Sequence, residues 1–192
     1  MRKLPENFEM DMYGLHVRLV NSLDAEYIVR LRTTPKVQRF IHDTSTDVTK
    51  QVEWIKHYKE REANGTEYYF IYQKAGKNIG VNRLYEIDYE AGTFNAGSWV
   101  CEQGSEVTDV VSTVLIYNTI AFEKLGLNLG TGQDGVHVNN KKVIKFNQMV
   151  GMTFTGKIFD KDKDSFYYTM ELTKDNFLKH REQLEILLGL KK

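Results

Sequence analysis

The chain is poor in cysteine and proline and has no excess of either charge. Its single cysteine, Cys101, rules out an intramolecular disulfide framework and favours a reducing compartment. Lysine plus arginine and aspartate plus glutamate both number 26, so no global field attracts nucleic acid or an anionic membrane. No run approaches the roughly 20 apolar residues of a membrane span, and the first residues lack the apolar segment of a signal peptide. We therefore expect a cytoplasmic protein whose partner is neither nucleic acid nor membrane.

The length of 192 residues suits one domain with a substantial core. No internal repeat or low-complexity linker divides the sequence. We expect a single domain over residues 1–192, with a core at 13–172 followed by a C-terminal helix. The acidic run DKDKD at 160–164 lacks the glycine and the distal glutamate of a calcium loop, so it predicts a solvated hairpin turn and no metal.

Hydrophobic periodicity predicts the order of elements. Alternation at 14–20 indicates a half-buried strand, and helices follow at 24–32 and from Asp47 to Asn64. Strands at 67–73, 79–87 and 93–101 are joined by tight turns and form an antiparallel meander. A helix, a strand, a short helix at 141–150, strands at 152–159 and 165–172 and a helix at 175–188 complete the chain. This order predicts an α/β (α+β) fold with a central mixed, mostly antiparallel sheet of about seven strands and helices on both faces.

Two helices carry clear signals. Apolar residues recur at spacings of three and four from Val110 to Leu125, and Gly126 stands where a C-terminal glycine belongs. The second helix lies between the amide pair Asn139 and Asn140 and the sequence Val-Gly-Met. A helix this short between two strands has an architectural explanation, and a chemical one if a long, thin cofactor lies along its edge.

Three stretches resemble the GNAT superfamily of acyl-CoA-dependent N-acetyltransferases. They are LRTTPKVQRFIHD at 31–43 with EWI at 53–55, then IAFEKLGL at 120–127, and finally the pattern Asn140, Val143, Gly151 and Met152. Their order and spacing match the family across residues 13–172. Within it the sequence is similar to the branch of ribosomal-protein alanine acetyltransferases and acetyltransferases of nucleotide-linked amino sugars.

The resemblance implies a site for acetyl-CoA, with no metal. The pantetheine arm would lie where the strand at 97–101 parts from the next strand, bound as though it were another strand. The pyrophosphate would meet the N-terminus of the long helix, where free amides and the helix dipole favour negative charge. The implied cofactor-binding residues are Trp99, Val100, Cys101, Gln103, Gly104, Ser105, Val107, Thr108, Asp109, Asn140, Lys142 and Phe146.

The turn before the long helix departs from the family pattern. Glu106 and Thr108 replace glycines that let the backbone approach phosphates, although Gly104 and Ser105 can supply the tight turn one step earlier. The alternative is an ordinary capping segment in which Ser105 or Thr108 caps the helix and Asp109 lies in its first turn.

The short helix departs as well. Asn140 would cap it and offer its amide to the pantetheine, while Lys142 either approaches the phosphates or belongs to a solvated face. Phe146 also suits the core. Asn147 stands where many relatives carry a tyrosine that protonates the departing thiolate, and an amide cannot serve as a general acid near neutral pH.

The acceptor amine must lose a proton, and the glutamate that relatives often use aligns with Asn95 here. Candidate substitutes are Glu86, His137, and His42 with Asp43. Each has a plain alternative, because a strand glutamate can face solvent, a lone histidine is often structural, and a loop histidine is often exposed. Covalent catalysis by the single cysteine is disfavoured, since no histidine-containing nucleophile motif surrounds it.

The leading hypothesis is direct transfer of acetyl from acetyl-CoA to a primary amine of a small molecule, an amino sugar linked to a nucleotide. Arg39, His42, Asp43 and Tyr85, with Tyr89 beside them, would form the acceptor wall. The alternatives are acetylation of a protein N-terminus, which an acidic groove would favour, a catalytically inactive CoA-binding module, and a structural domain without a cofactor. The sequence is compatible with a monomer or a homodimer, and the C-terminal helix could pack on the core or form the dimer face.

Overall fold

The computed structural model describes residues 3–38, 44–161 and 164–191, without the side chains of Gln133 and Asp134. Arg39, His42 and Asp43 lie outside these described residues, so their predicted contact with the acceptor stays a prediction. The strands are β1 (Glu9–Met12), β2 (Leu15–Leu19), β3 (Tyr68–Lys74), β4 (Lys77–Asp88), β5 (Thr93–Cys101), β6 (Leu129–His137), β7 (Thr153–Asp160) and β8 (Ser165–Thr173). The helices are α1 (Ala25–Arg32), α2 (Pro35–Gln38), α3 (Val48–Asn64), α4 (Val107–Thr119), α5 (Lys141–Val150) and α6 (Lys174–Leu187).

The described strands form one sheet in the order β1-β2-β3-β4-β5-β6-β8-β7. Every neighbouring pair is antiparallel except β5 with β6, which confirms the mixed, mostly antiparallel sheet. The sheet has eight described strands where about seven were predicted, because β1 pairs with β2 through a turn at Tyr13 and Gly14, both with positive φ. The signal for β1 was present, since Glu9 and Asp11 alternate with two methionines.

Helices cover both faces of the sheet, as predicted. On one face α1 and α3 enclose a core with Ile71 and Val81, and on the other face α4 and α6 enclose the larger core. Strand β3 serves both: Tyr68, Phe70 and Tyr72 enter the α4 side and Tyr69 and Ile71 the α1 side, none more than 3% exposed. Burial on both faces explains why β3 is a continuous apolar run rather than an alternating one.

Helix α3 begins and ends at the predicted signals. The Asp47 carboxylate accepts a hydrogen bond from the Thr49 amide at 2.9 Å, which satisfies one free donor of the first turn. Gly65 adopts a left-handed conformation with φ of 77° and donates its amide to the Glu62 carbonyl at 2.9 Å. These caps define the two ends of α3.

Helix α4 is buried on almost all sides, because it packs against both the sheet and α6. The chain continues in a π-helical turn at Ile120–Lys124, in which Leu125 donates to the Ile120 carbonyl at 2.9 Å. This turn holds Phe122 between Phe94 and Phe177, at ring-centroid distances of 5.4 and 5.5 Å. The apolar spacing from Val110 to Leu125 therefore predicts the helix correctly, but the helix is buried on more sides than one apolar face implies.

Helix α6 packs on the core through Phe177 and Leu184, which are fully buried. The Glu185 carboxylate accepts hydrogen bonds from Tyr13 and from Arg181, each at 2.8 Å, and pairs with Lys191 at 3.0 Å. Burial opposes ionisation of Glu185, but the hydrogen bonds from Lys191, Arg181 and Tyr13 outweigh it and lower the pKa of this carboxyl to about 2. The cluster ties the last helix to the turn between β1 and β2.

Candidate functional site

Strands β5 and β6 pair at only three positions, the last of which joins Asn95 to Thr131. Beyond it β5 continues to pair with β4 as far as Cys101, and β6 with β8 as far as His137. Residues 96–101 and 132–137 therefore diverge, and we call this region the splay. Their facing edges have no ladder partner among the described strands, so their backbone groups can bind an extended ligand chain.

A bulge on β5 widens the splay. Val81 is opposite Val100 and Arg83 is opposite Gly97, so β5 has one residue more than β4 over this stretch. Ser98 lies there with φ of 51°, in the left-handed region. A bulge of this kind bends the strand and re-aims its side chains and backbone groups.

The N-terminus of α4 lies at the end of β5 and has no side-chain cap. Glu106 occupies the cap position in an extended conformation but makes no capping hydrogen bond, so neither Ser105 nor Thr108 caps the helix as the alternative interpretation required. Lys74 donates instead to the carboxylates of Glu106 and Asp109, at 2.9 and 2.8 Å. The first amides of α4 are thus left open to an anion, with both acids drawn to one side.

The other predicted residues of this turn have simple roles. Gly104 has φ of 87°, which only glycine adopts readily, and Ser105 donates its amide to the Glu102 carbonyl at 3.2 Å, closing the turn. Gln103 is exposed, and Val107 is 73% exposed. The hydrogen bond from Lys74 holds the pKa of Glu106 below its ordinary value, so this carboxyl stays ionised beside the turn.

Aromatic rings line the splay on the α4 side. Trp99 stacks on Phe146 of α5 with ring centroids 5.3 Å apart, and its indole N–H donates to Thr113 Oγ1 at 3.0 Å. Both rings are half-buried and pack against the larger core. Val100 is buried in the core on the opposite face, so toward the splay it presents backbone only.

Cys101 ends β5 as a free thiol. Burial raises its pKa to about 11, so the thiolate is scarce at neutral pH. The chemistry of this residue therefore agrees with the interpretation that transfer needs no cysteine nucleophile.

A second bulge, on β4, brings a carboxylate to the start of the splay. Tyr85 is opposite Asn95 and Asp88 opposite Thr93, and within this stretch Glu86 has φ of 52°. Asn95, 3% exposed, donates from its amide nitrogen to the Glu86 carboxylate, while its amide oxygen accepts a hydrogen bond from Thr131 Oγ1 at 2.8 Å. Glu86 is otherwise exposed, so its carboxylate is oriented by a buried amide and still open to solvent.

The two other predicted catalytic residues have structural contacts. His137 accepts the Asn139 amide at Nδ1, at 3.1 Å, and its ring meets Tyr167 edge-on at 5.3 Å. Asn147 donates to the sulfur of Met170 at 3.8 Å. Since Nδ1 of His137 is used as an acceptor in a turn, only Nε2 could take part in proton transfer.

Helix α5 has the predicted bounds but a different start. Asn140 occupies the cap position, yet its side chain makes no capping hydrogen bond, so the predicted side-chain cap is wrong. The amide therefore remains available to another partner. Lys142 is exposed in the first turn.

A pocket of about 370 Å³ opens on the α1 side of the sheet, next to the β5 bulge. We call it the cationic pocket, and its lining residues are Arg32, Thr44, Ser45, Lys50, Gln51, Trp54, Tyr69, Arg83 and Ser98. Tyr85 adjoins it, since the Arg83 guanidinium lies 4.3 Å from the Tyr85 ring centroid. Tyr89 packs on the opposite core and does not join this wall.

Gly97 makes room for Tyr85. A Cβ at this position would lie 3.0 Å from Cε1 and 3.1 Å from the hydroxyl of Tyr85, too close for an unshifted ring. Because Gly97 has no side chain, the Tyr85 ring can lie over β5, between Glu86 and the cationic pocket. Within the described residues, no three His, Cys, Asp or Glu side chains converge to hold a metal ion.

The chain matches known proteins in sequence and in fold. Residues 15–153 match the model of the acetyltransferase (GNAT) domain. The structure of apo FdhC, a nucleotide-linked sugar GNAT, is 30% identical, covers 95% of this chain and 99% of its own, and has a TM-score of 0.79. The ribosomal-protein-S5-alanine acetyltransferase from Vibrio fischeri is 14% identical, with coverages of 89% and 99% and a TM-score of 0.74. No curated protein matches the sequence significantly.

The spermidine N-acetyltransferase chimera of Vibrio cholerae SpeG shares the fold at 16% identity, with coverages of 86% and 98% and a TM-score of 0.72. No helix among the described residues is long and apolar enough to cross a membrane. The family model covers most of the chain, and the FdhC structure covers nearly all of it. The family resemblance implies that the co-substrate, acetyl-CoA, lies at the splay and the open terminus of α4. This protein therefore belongs to the GNAT family and is an acyl-CoA-dependent N-acetyltransferase.

Proposed function

We propose that the enzyme transfers an acetyl group from acetyl-CoA directly to the primary amine of a small molecule, an amino sugar linked to a nucleotide. The observation that carries this proposal is the position of the Glu86 carboxylate, which Asn95 holds at the last paired residue before the splay. Similarity to FdhC, a nucleotide-linked sugar GNAT, supports the choice of acceptor.

The residues of the splay suit the binding of acetyl-CoA as the acetyl donor. The divergent edge of β5 offers backbone groups to the pantetheine amides, and Trp99 and Phe146 offer apolar surface beside it. The open amides of α4 favour the pyrophosphate. Asn140, whose side chain does not cap α5, is free to donate to the pantetheine arm.

Glu86 acts in this mechanism as the general base. The amine nitrogen attacks the thioester carbonyl carbon, the C–N bond forms, the C–S bond breaks, and the ammonium proton passes to Glu86 directly or through one water. Asn95 and Thr131 hold the carboxylate in place by their hydrogen-bond chain. Solvent supplies the proton to the departing thiolate, because the amide of Asn147 cannot.

The test compares Glu86→Gln with Glu90→Gln, a matched change at an exposed residue of the same hairpin. Loss of a general base should lower kcat by roughly a hundredfold or more, with the Kd of acetyl-CoA unchanged. Thiol release, with product mass measured by mass spectrometry, follows turnover of a nucleotide-linked amino sugar. Equal kcat values for the two variants would refute the role of Glu86, and binding of acetyl-CoA without acetylation of any amine would favour an inactive module.

A further inference from the structure

The cationic pocket has a charge that the acetyl-transfer chemistry does not explain. Three cations reach it from three elements: Arg32 from the end of α1, Lys50 from the first turn of α3 and Arg83 from β4. None of its described lining residues is a carboxylate. An acceptor with several positive charges, or a peptide N-terminus, would be repelled here.

Two buried donors of the pocket have no hydrogen-bond partner among the described residues. They are Nη1 of Arg32 and Nε of Arg83. Arg32 is held by its Nε, which donates to Thr44 Oγ1 at 2.8 Å. A buried guanidinium donor without an acceptor is costly, so each of these donors would gain free energy from an anionic acceptor that enters the pocket.

The guanidinium of Arg83 is positioned before any ligand arrives. It lies 4.3 Å from the Tyr85 ring centroid and 5.6 Å from that of Trp54. Behind it, the buried Glu67 carboxylate contacts both Arg83 at 3.4 Å and Arg61 at 2.6 Å. Because one carboxylate is shared between two arginines, positive charge remains in excess. The Arg83 guanidinium that carries it is already oriented.

The pocket and the proposed base lie on the same face of the sheet at a fixed separation. Ser98 lines the pocket, and Asn95, three residues earlier on β5, binds Glu86. Three residues of a strand span about 10 Å, which leaves room for one sugar ring between an anion in the pocket and an amine beside Glu86. The Tyr85 ring lies against Gly97 in this interval, where it can contact the sugar.

We propose that the cationic pocket binds the diphosphate of the acceptor through Arg32, Arg83 and Lys50, and so restricts the enzyme to amines attached to a diphosphate. This inference rests on the proposed function, because it places the amine of the same acceptor at Glu86. Trp54 also lines the pocket, and its ring lies 5.6 Å from the Arg83 guanidinium that would contact the diphosphate.

Binding is tested by titrating uridine diphosphate into the full chain saturated with coenzyme A, so that the α4 terminus is already occupied. Lys50→Gln should weaken binding about fivefold and Arg32→Gln about tenfold, with the difference shrinking at high salt. Lys56→Gln is the matched control, since Lys56 is an exposed lysine of α3 outside the pocket. If Arg32→Gln fails to fold, the exposed Lys50 still gives a test.

Equal affinities of the Lys50 and Lys56 variants, or no binding by the wild type, would overturn the inference. Uridine without phosphates should bind both variants alike, and a Lys50 effect on uridine would also contradict diphosphate recognition. Measurements of turnover distinguish the proposed acetyl transfer from the proposed diphosphate site. If the free amino sugar is acetylated as well as its nucleotide-linked form, the transfer mechanism stands and the diphosphate site fails. If the diphosphate binds through Lys50 but no amine is acetylated, the site stands and the proposed function fails.

Discussion

Glu106 gives the sharpest test of where the cofactor phosphates lie. It is an acid at the N-terminus of α4, where relatives have a glycine, and Lys74 holds its carboxylate. In Glu106→Gln the negative charge disappears, while Lys74 keeps its hydrogen bond to Asp109. The potential beside the free α4 amides becomes more positive, so we expect acetyl-CoA to bind more tightly.

The size of the effect follows from exposure. The Glu106 side chain is 70% exposed, so solvent and salt screen its repulsion of the pyrophosphate. Exposed charges at a helix terminus change binding or stability by factors of about two to five at low salt, and we expect the Kd of acetyl-CoA to fall by that factor. Lys74→Gln should act in the opposite direction, because it leaves two acids uncompensated beside the phosphates.

Isothermal titration calorimetry at low and high salt measures both changes. Glu60→Gln is the control, since it changes the net charge equally at an exposed position on α3, on the other face of the sheet. Acetyl-pantetheine, which lacks the pyrophosphate, should bind wild type and Glu106→Gln alike. If acetyl-CoA binds Glu106→Gln no more tightly than Glu60→Gln, the phosphates do not lie at this helix terminus.

Three further predictions concern other parts of the molecule. The chain has two tryptophans, so the variant Trp54→Phe retains only Trp99. Its fluorescence should change on saturation with coenzyme A. An unchanged emission spectrum would show that Trp99 does not lie at the cofactor site. The depressed pKa of Glu185, about 2, means that its stabilisation is complete above its unfolded pKa and is lost as pH falls through 4.5 toward 2. Between pH 7 and pH 3 this loss is about 2 kcal/mol, so in chemical denaturation at these two pH values the unfolding free energy of Glu185→Gln should vary less than that of wild type. Cys101, whose pKa is about 11, should react slowly with iodoacetamide at pH 8, and rapid inactivation would support a covalent mechanism.

Local signals located the elements well. The cap at Asp47 and the glycine at 65 fixed α3, and the bounds of β5 and α5 agree with those expected from residues 93–101 and 141–150. Such features depend on neighbours within a few residues, which the sequence displays directly. Strand β1 carries a signal of the same kind, because acidic and apolar residues alternate along it.

The site was harder to predict because its parts come from distant positions. Lys74 neutralises Glu106 across 32 residues, and no periodicity connects them. In the sequence Trp54 stands out only as part of EWI at 53–55, and neither Arg32 nor Lys50 is predicted as a site residue. Arg83 could have been found, since it lies two residues before Tyr85 and side chains two apart on a strand share a face.

The Asn140 cap failed for a different reason. Cap preference is a tendency of residue type, and at Asn140 the backbone, with ψ of 60°, is not the extended form in which an amide side chain reaches the following N–H groups. The bulges at Glu86 and Ser98 also escaped prediction, because neither is a glycine and both have positive φ.

The extra residue in β4 determines where the Glu86 side chain lies relative to Asn95. Deleting one residue there would restore a regular ladder, and every side chain on one flank of the deletion would turn to the other surface of the sheet. Glu86 would then lose its alignment with Asn95 although no acid had been removed from the chain. If Glu86 is the proton acceptor that we propose, an insertion in strand length specifies it, and a search for a glutamate at the usual position would mistake a working catalyst for an inert one.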